Sequence, residues 1–108
     1  MKKVFLSFKS TTLGYLCKDK MGFCFYADET KIKKVQKKYP ILMKMYTLNV
    51  SGAEIYARLP NLFANFLPSK ERVDLITKAG IIDSEDEFEK LYKLAGLKII
   101  NINFKIHR

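Results

Sequence analysis

Four short segments of the chain alternate apolar and polar residues with the period of two that is typical of a β-strand. They are Val4–Phe8, Thr12–Cys17, Gly22–Tyr26 and Leu97–His107. The alternation is cleanest in the last segment and imperfect in the first, where Phe5 adds an apolar side chain to the other face. A weaker extended pattern covers Ile41–Val50. Polar turns join the first three segments, which predicts an antiparallel meander.

The segments between these strands carry apolar residues at the spacing of an amphipathic helix. Three predicted helices run over Glu29–Tyr39, Leu59–Leu67 and Ser69–Ala79. A fourth begins at a capping box formed by Ser84 and Glu87 and ends at Gly96. These elements predict one α+β domain over residues 1–108. It should contain a small antiparallel sheet of four to five strands, with three to four short helices packed on one face.

The net charge of +9 is distributed unevenly along the chain. Residues 1–50 hold eleven Lys and three acidic residues, a net charge of +8, whereas residues 51–108 have a net charge of +1. This asymmetry favours one basic face, which could meet nucleic acid or an acidic protein, or could simply be solvated. Direct sequence-specific nucleic-acid binding is not expected, because the chain has three Arg and its Phe and Tyr follow core-like spacings.

The motifs that usually carry catalysis are missing from the sequence. It has no glycine-rich phosphate loop and no kinase catalytic loop or metal-binding DFG motif. The single histidine, His107, is close to the C-terminus, and neither Cys17 nor Cys24 has a histidine nearby to activate it. The acidic residues that follow Gly80 are explained by helix capping. We therefore expect a protein that is not an enzyme, with no catalytic residue, metal or cofactor.

The sequence also predicts a cytoplasmic protein that does not enter a membrane. No apolar stretch approaches the roughly 20 residues of a transmembrane helix, and the basic start lacks a long apolar region like that of a signal peptide. Two cysteines in such a chain are expected to be reduced thiols, although a cross-strand disulfide between Cys17 and Cys24 is an alternative.

The run LPNLFANFLP is the most distinctive motif in the chain. Two prolines bracket a short helical pattern whose apolar residues are expected to be buried, while Asn61 and Asn65 share the opposite face. The residues to which we assign this structural role are Leu59, Pro60, Leu62, Phe63, Phe66, Leu67 and Pro68.

This motif, the preceding LGYL and GFCFYADE segments and the helix pair that follows resemble the N-terminal subdomain of HipA-type serine/threonine kinases. The similarity covers most of the chain. One departure is the segment from Ala95 to Ile100, where the family usually continues into a glycine-containing RDxxGAV pattern.

The resemblance implies a free-standing subdomain of the kind found in tripartite HipBST toxin–antitoxin systems. Its partner would be a HipT-like Ser/Thr kinase toxin, which it would bind at the N-lobe or active-site cleft and restrain. A non-inhibitory scaffold that bridges the kinase to a DNA-binding HipB-like protein is an alternative, as is a weak basic nucleic-acid-binding domain. We expect the loop from Leu48 to Arg58 to project toward the partner. Tyr56 would be the anchor of the interface, with Ile55, Arg58 and Asn61 beside it, because Tyr and Arg are enriched among the residues that dominate interfaces.

Overall fold

The first three predicted strands form an antiparallel meander at the centre of the sheet. The computed structural model describes residues 2–40, 53–56, 58–101 and 103–108, with residues 53–55, 61 and 101 described by their backbone. β1 (Val4–Phe8), β2 (Thr11–Asp19) and β3 (Gly22–Ala27) pair in chain order. Their bounds lie within two residues of the predicted ones, because the polar turns that separate them are short.

The described strands form one sheet in the order β4-β3-β2-β1-β6-β5. β4 (Ala53–Tyr56) lies beside β3, and β6 (Phe104–His107) lies beside β1, so the first and last described strands are neighbours. Every pairing in the sheet is antiparallel. The predicted α+β class with a small antiparallel sheet is confirmed.

The C-terminal segment is a hairpin rather than the single strand predicted over Leu97–His107. β5 (Ile100–Asn101) pairs with β6, and the turn between them contains Asn103, whose φ of 69° is left-handed. Asparagine tolerates this conformation better than most residues. The alternation did not reveal the turn because a chain reversal can fall within a regular apolar–polar pattern. Ile100 is consequently 69% exposed, on the face opposite the buried residues of β6.

The segment before the LPNLFANFLP motif also differs from its prediction. Instead of a projecting loop, residues Ala53–Tyr56 form β4 against β3. Isoleucine and tyrosine favour strands, and β3 offers a backbone edge with which they can pair. Residues 48–52 and 57, and the extended segment predicted over Ile41–Val50, lie outside the described residues.

The first helix begins and ends as its sequence predicts. α1 (Glu29–Lys38) follows Asp28, whose side chain accepts a hydrogen bond from the Lys31 amide at 3.2 Å. Satisfying a free amide in this way is the usual role of an aspartate at a helix N-terminus. Ile32 and Val35 are the buried residues of the helix.

Two further helices, α3 (Val73–Ala79) and α4 (Glu87–Ala95), follow the four-residue α2 (Asn61–Ala64). Gly80 ends α3 with a φ of 69°, and its amide donates to carbonyls of the last turn, as the sequence predicts. α3 is shorter than predicted because Ser69 lies in a preceding turn and does not cap the helix.

The cap of α4 is Asp86 rather than the predicted Ser84. The Asp86 carboxylate accepts from the Glu89 amide at 2.7 Å. A carboxylate makes a stronger, charge-assisted hydrogen bond than a hydroxyl, which explains the choice. Glu85, the residue between them, instead accepts from the Ile82 amide and pairs with Lys93 of α4.

One face of the sheet forms the hydrophobic core, and the helices pack on it. The Phe63 ring of α2 lies 5.7 Å from Phe25 of β3, and Tyr39 at the end of α1 lies 5.2 Å from Phe8 of β1. The buried residues that α4 adds to this cluster are Phe88, Leu91, Leu94 and Ala95. The sheet residues of this cluster, which the helices together cover, include Val4, Leu6, Phe8, Leu16, Phe25, Phe104 and Ile106.

Gly14 is a position of β2 at which a side chain does not fit. A Cβ atom there would lie 2.3 Å from the Tyr26 carbonyl oxygen and 3.0 Å from the Ala27 Cα atom. Because both belong to the backbone of β3, Gly14→Ala must push the two strands apart. We expect a loss of about 3 kcal/mol in the free energy of unfolding, measured by urea denaturation followed by circular dichroism.

Gly80→Ala is the matched control for this substitution. Gly80 also has a positive φ, but no heavy atom lies within 4 Å of the position that its Cβ would occupy. Backbone strain alone should therefore cost about 1 kcal/mol. Equal losses at the two glycines would contradict the close approach of β2 and β3.

Candidate partner-binding site

The LPNLFANFLP motif folds as one short helix followed by a tight turn. α2 begins directly after Pro60, whose carbonyl accepts from the amides of Phe63 and Ala64 at 2.9 Å. The helix ends four residues later, earlier than the predicted end at Leu67. The next amides donate to carbonyls three residues back, which tightens the chain into a turn.

The apolar residues of the motif belong to the core, as their spacing predicts. Leu59, Leu62, Phe63 and Phe66 are buried, and Leu67 packs against the same cluster while half-buried. Pro60 and Pro68 are also half-buried. The motif therefore fixes the helices to the sheet, and its aromatic rings are not offered to a partner.

Two of the four predicted contact residues lie on the edge strand β4, at positions on opposite faces of the sheet. Ile55 and Tyr56 occupy adjacent positions of β4, opposite Cys24 and Phe23 of β3. Adjacent strand residues point to opposite sides of a sheet, so Tyr56 lies on the helix side, where it packs half-buried against the core. Arg58 is exposed beyond the end of β4.

Asn61 is the first residue of α2. The side chains of Ile55 and Asn61 lie outside the described residues. The structure thus places two of the four predicted side chains: Arg58 at the surface and Tyr56 partly in the core.

The second face of the sheet carries a row of four aromatic rings that the sequence analysis missed. We call these residues, one from each of four adjacent strands, the aromatic row: His107, Phe5, Tyr15 and Tyr26. Consecutive rings have centroids 5.5, 5.5 and 5.1 Å apart. None of the four belongs to the core cluster against which the helices pack.

The signal for the aromatic row was present in the sequence as a break in the pattern. Phe5 interrupts the alternation of β1, and Tyr15 and Tyr26 occupy the corresponding face of the next two strands. The register that brings these residues together depends on a shift between Leu6 and Ser7, which periodicity does not reveal. The expectation that the aromatic residues all follow core-like spacings is therefore wrong.

His107 is better ordered by contacts than its position near the C-terminus suggested. Its Nε2 atom lies 2.8 Å from the Ser7 hydroxyl, which is itself 3.2 Å from the Thr12 hydroxyl, and its ring stacks on Phe5. Pairing of β6 with β1 holds the histidine in place, since His107 lies directly opposite Phe5. These contacts hold the His107 ring against Phe5, its neighbour in the aromatic row.

The two cysteines are free thiols that face each other across β2 and β3, next to the aromatic row. Burial raises the pKa of both thiols above its ordinary value, and the nearby carboxylate of Asp19 raises it further. The Cys24 thiol donates to an Asp19 carboxylate oxygen at 3.6 Å. A thiol with a raised pKa is a poor nucleophile at neutral pH, which makes a catalytic cysteine a weak interpretation of this pair.

The described residues show neither a metal-binding cluster nor a membrane-spanning helix. They contain no group of three or more His, Cys, Asp and Glu side chains arranged to hold a metal ion. No helix among them is long and apolar enough to cross a membrane.

Comparisons with known proteins identify no relative of this chain: no family model, no curated protein and no solved structure matches it.

The cysteine pair provides a direct test of the geometry of the second face. Because burial keeps both thiols protonated, we expect them to react with a disulfide reagent at pH 7.5 at least about tenfold more slowly in the folded protein than in denaturant. The rate should rise with pH toward a midpoint above the ordinary thiol value of 9.0. Folded-state rates equal to those of the denatured chain would contradict the described burial of Cys17 and Cys24.

Proposed function

We propose that this chain is a non-catalytic, HipS-like binding module that docks on a HipA-like serine/threonine kinase toxin (HipT) and restrains it. The proposal comes from the resemblance of three sequence segments to the N-terminal subdomain of such kinases. It is supported by the way in which these segments meet in the fold, which is the observation that carries it.

The three segments pack as one unit: LGYL and GFCFYADE lie on the consecutive strands β2 and β3, and LPNLFANFLP, which follows much later in the chain, packs against β3. Gly14 of the LGYL segment fits closely against Tyr26 of GFCFYADE, and Phe25 of that segment meets Phe63 of LPNLFANFLP at 5.7 Å. If the resemblance reflects a common fold, the residues that carry it are expected to pack against one another in this way. Consecutive strands such as β2 and β3 pair in any case, so the contact of LPNLFANFLP with β3 is the one that a chance likeness would not require.

A module of this size can restrain a kinase by simple occupation of surface. A standard interface buries about 800 Å² per partner, or roughly a ninth of the 7056 Å² surface of the chain. Docking over the cleft, or holding the N-lobe in an unproductive arrangement, would block the positioning of nucleotide on which phosphoryl transfer depends. The chain itself needs no catalytic group for either effect.

The excess of positive charge fits the same role. With a net charge of +9, the chain would be steered toward an acidic surface on its partner. A DNA-binding protein such as HipB is a possible third member of the complex, as the tripartite systems suggest. If the chain were instead a scaffold that bridges the two, the kinase would keep its activity when bound.

Co-expression distinguishes an inhibitor from a scaffold. Cells that express the kinase alone should stop growing, and we expect growth to resume when this chain is produced with it. Purified kinase should likewise lose phosphotransfer activity as the chain is added. Undiminished toxicity in the presence of a stable complex would support the scaffold and contradict the proposal.

The predicted contact residues are tested by binding measurements on the purified pair. Arg58→Ala and Tyr56→Ala should each weaken binding to the kinase at least about tenfold, because arginine and tyrosine dominate many interfaces. Arg72→Ala is the control, since Arg72 is a surface arginine paired with Asp74 on α3. Thermal unfolding of the Tyr56 variant must be followed in parallel, because that side chain also packs against the core.

Affinities of the Arg58 and Tyr56 variants within twofold of the wild-type chain would show that the edge beside β4 does not contact the kinase. Inhibition by the wild-type chain would be unaffected by that result, and the interface would lie elsewhere.

A further inference from the structure

The aromatic row is the most unusual surface that the fold leaves unexplained. Its four rings lie on the side of the sheet away from the helices, and Tyr26 at one end is 41% exposed. The other three rings are half-buried. Apolar surface that is contiguous on one face, rather than scattered, is typical of a binding surface. The resemblance to the kinase subdomain assigns no role to them.

The rings form two stacked pairs that meet at Phe5 and Tyr15, whose planes differ by 54°. The planes of Phe5 and His107 differ by 11° and those of Tyr15 and Tyr26 by 24°, at centroid separations of 5.5 and 5.1 Å. Nearly parallel rings at these separations overlap in an offset stack. Each ring of the row is therefore in contact with at least one neighbouring ring, which restricts its rotamers.

This arrangement disfavours single-stranded nucleic acid as the occupant. Platforms that bind single strands offer ring faces on which successive bases stack. Here the inner rings, Phe5 and Tyr15, have neighbours on both sides, and the Lys3 ammonium lies 4.6 Å from the Tyr15 centroid. Ring faces on which bases could stack therefore remain only at the two ends of the row.

The same arrangement suits a protein surface. Side chains that are immobilised before binding lose little conformational entropy on association, and tyrosine is among the residues that dominate interface energies. A second copy of the chain is a poor occupant, since two molecules of net charge +9 repel each other. An acidic, partly apolar protein surface complements both the rings and the charge.

The row is also continuous with one of the predicted contact positions. Tyr26 lies opposite Ala53, and Cys24 lies opposite Ile55, so position 55 of β4 is on the same face as the aromatic row. An interface that begins at this edge would extend across the row without crossing the core.

We propose that the aromatic row, with Lys3 beside it, is the docking surface for an acidic, partly apolar face of the kinase. This inference rests on the proposed function, because the kinase is the partner to which it commits. The predicted contact residues lie at and after the end of β4. Here, in contrast, the rings on the second face of the sheet provide most of the binding energy.

The test measures binding of the purified kinase to variants of the full chain by calorimetry. Tyr26→Ala should weaken binding at least about tenfold, and Tyr26→Phe less, because the ring edge is retained. Ile82→Ala is the control for lost exposed apolar surface, since Ile82 is 58% exposed on the helix side of the molecule, and should bind as the wild type does.

A charge variant gives a second, independent readout. Lys3→Glu should slow association at low salt about fivefold and lose this effect at high salt, whereas Lys78→Glu on α3 should change the rate little. Circular dichroism and thermal unfolding establish that each variant is folded. Tyr26 and Lys3 lie outside the core cluster, so both variants are expected to fold.

The outcomes separate this inference from the proposed function. If the wild-type chain does not bind the kinase, both fail. If it binds and inhibits but the Tyr26 and Lys3 variants match it within twofold, this inference alone fails.

Binding of a fluorescent oligothymidylate at physiological salt that is lost in Tyr26→Ala would assign the row to nucleic acid, and a wild-type dimer dissociated by Tyr26→Ala would assign it to a second copy. Either result would overturn the inference.

Discussion

The pairing of β1 with both of its neighbours is the constraint on which the rest of this structure depends. β1 joins the N-terminal meander on one side to β6 on the other, and Phe8 meets Phe104 in an edge-to-face contact at 5.0 Å. Because consecutive strand residues point to opposite faces, one register sets two surfaces at once. Val4, Leu6 and Phe8 face the core, while Phe5 and Ser7 are placed in the aromatic face. A slip of one residue would exchange them.

The two faces therefore have different tasks. The helix side contains the LPNLFANFLP motif, whose rings are buried and whose role is to attach the helices to the sheet. The opposite side holds stacked rings, paired hydroxyl groups and protonated thiols, none of which the helices need. Because the aromatic row lies outside the core cluster, contact with it would not disturb the packing of the helices. This division is the physical link between the fold and the proposed role in binding a kinase.

The elements that sequence reasoning predicted well are those that local chemistry determines. Asp28 begins α1 and Gly80 ends α3 because one side chain or one backbone conformation decides each boundary. The meander follows from short polar turns, and burial of Phe63 and Phe66 follows from helical spacing. Among the predictions that were wrong, the caps at Ser69 and Ser84 concern local helix boundaries, whereas the others depend on long-range partners. β4 exists because β3 supplies an edge, and the turn at Asn103 exists because Lys9 donates to its carbonyl from the far end of the chain. The aromatic row needs the register of four strands, which no single segment encodes.

Closure of the sheet by β6 also affects the order in which the protein can be made. During synthesis, the meander of β1, β2 and β3 emerges first and can pair with itself. The outer edge of β1, however, has to wait for Phe104 to His107 at the far end of the described chain. An unpaired central strand with Val4, Leu6 and Phe8 on one side is a site for mispairing with other chains. Until β6 has been translated, the nascent protein is therefore vulnerable to aggregation through this edge of β1.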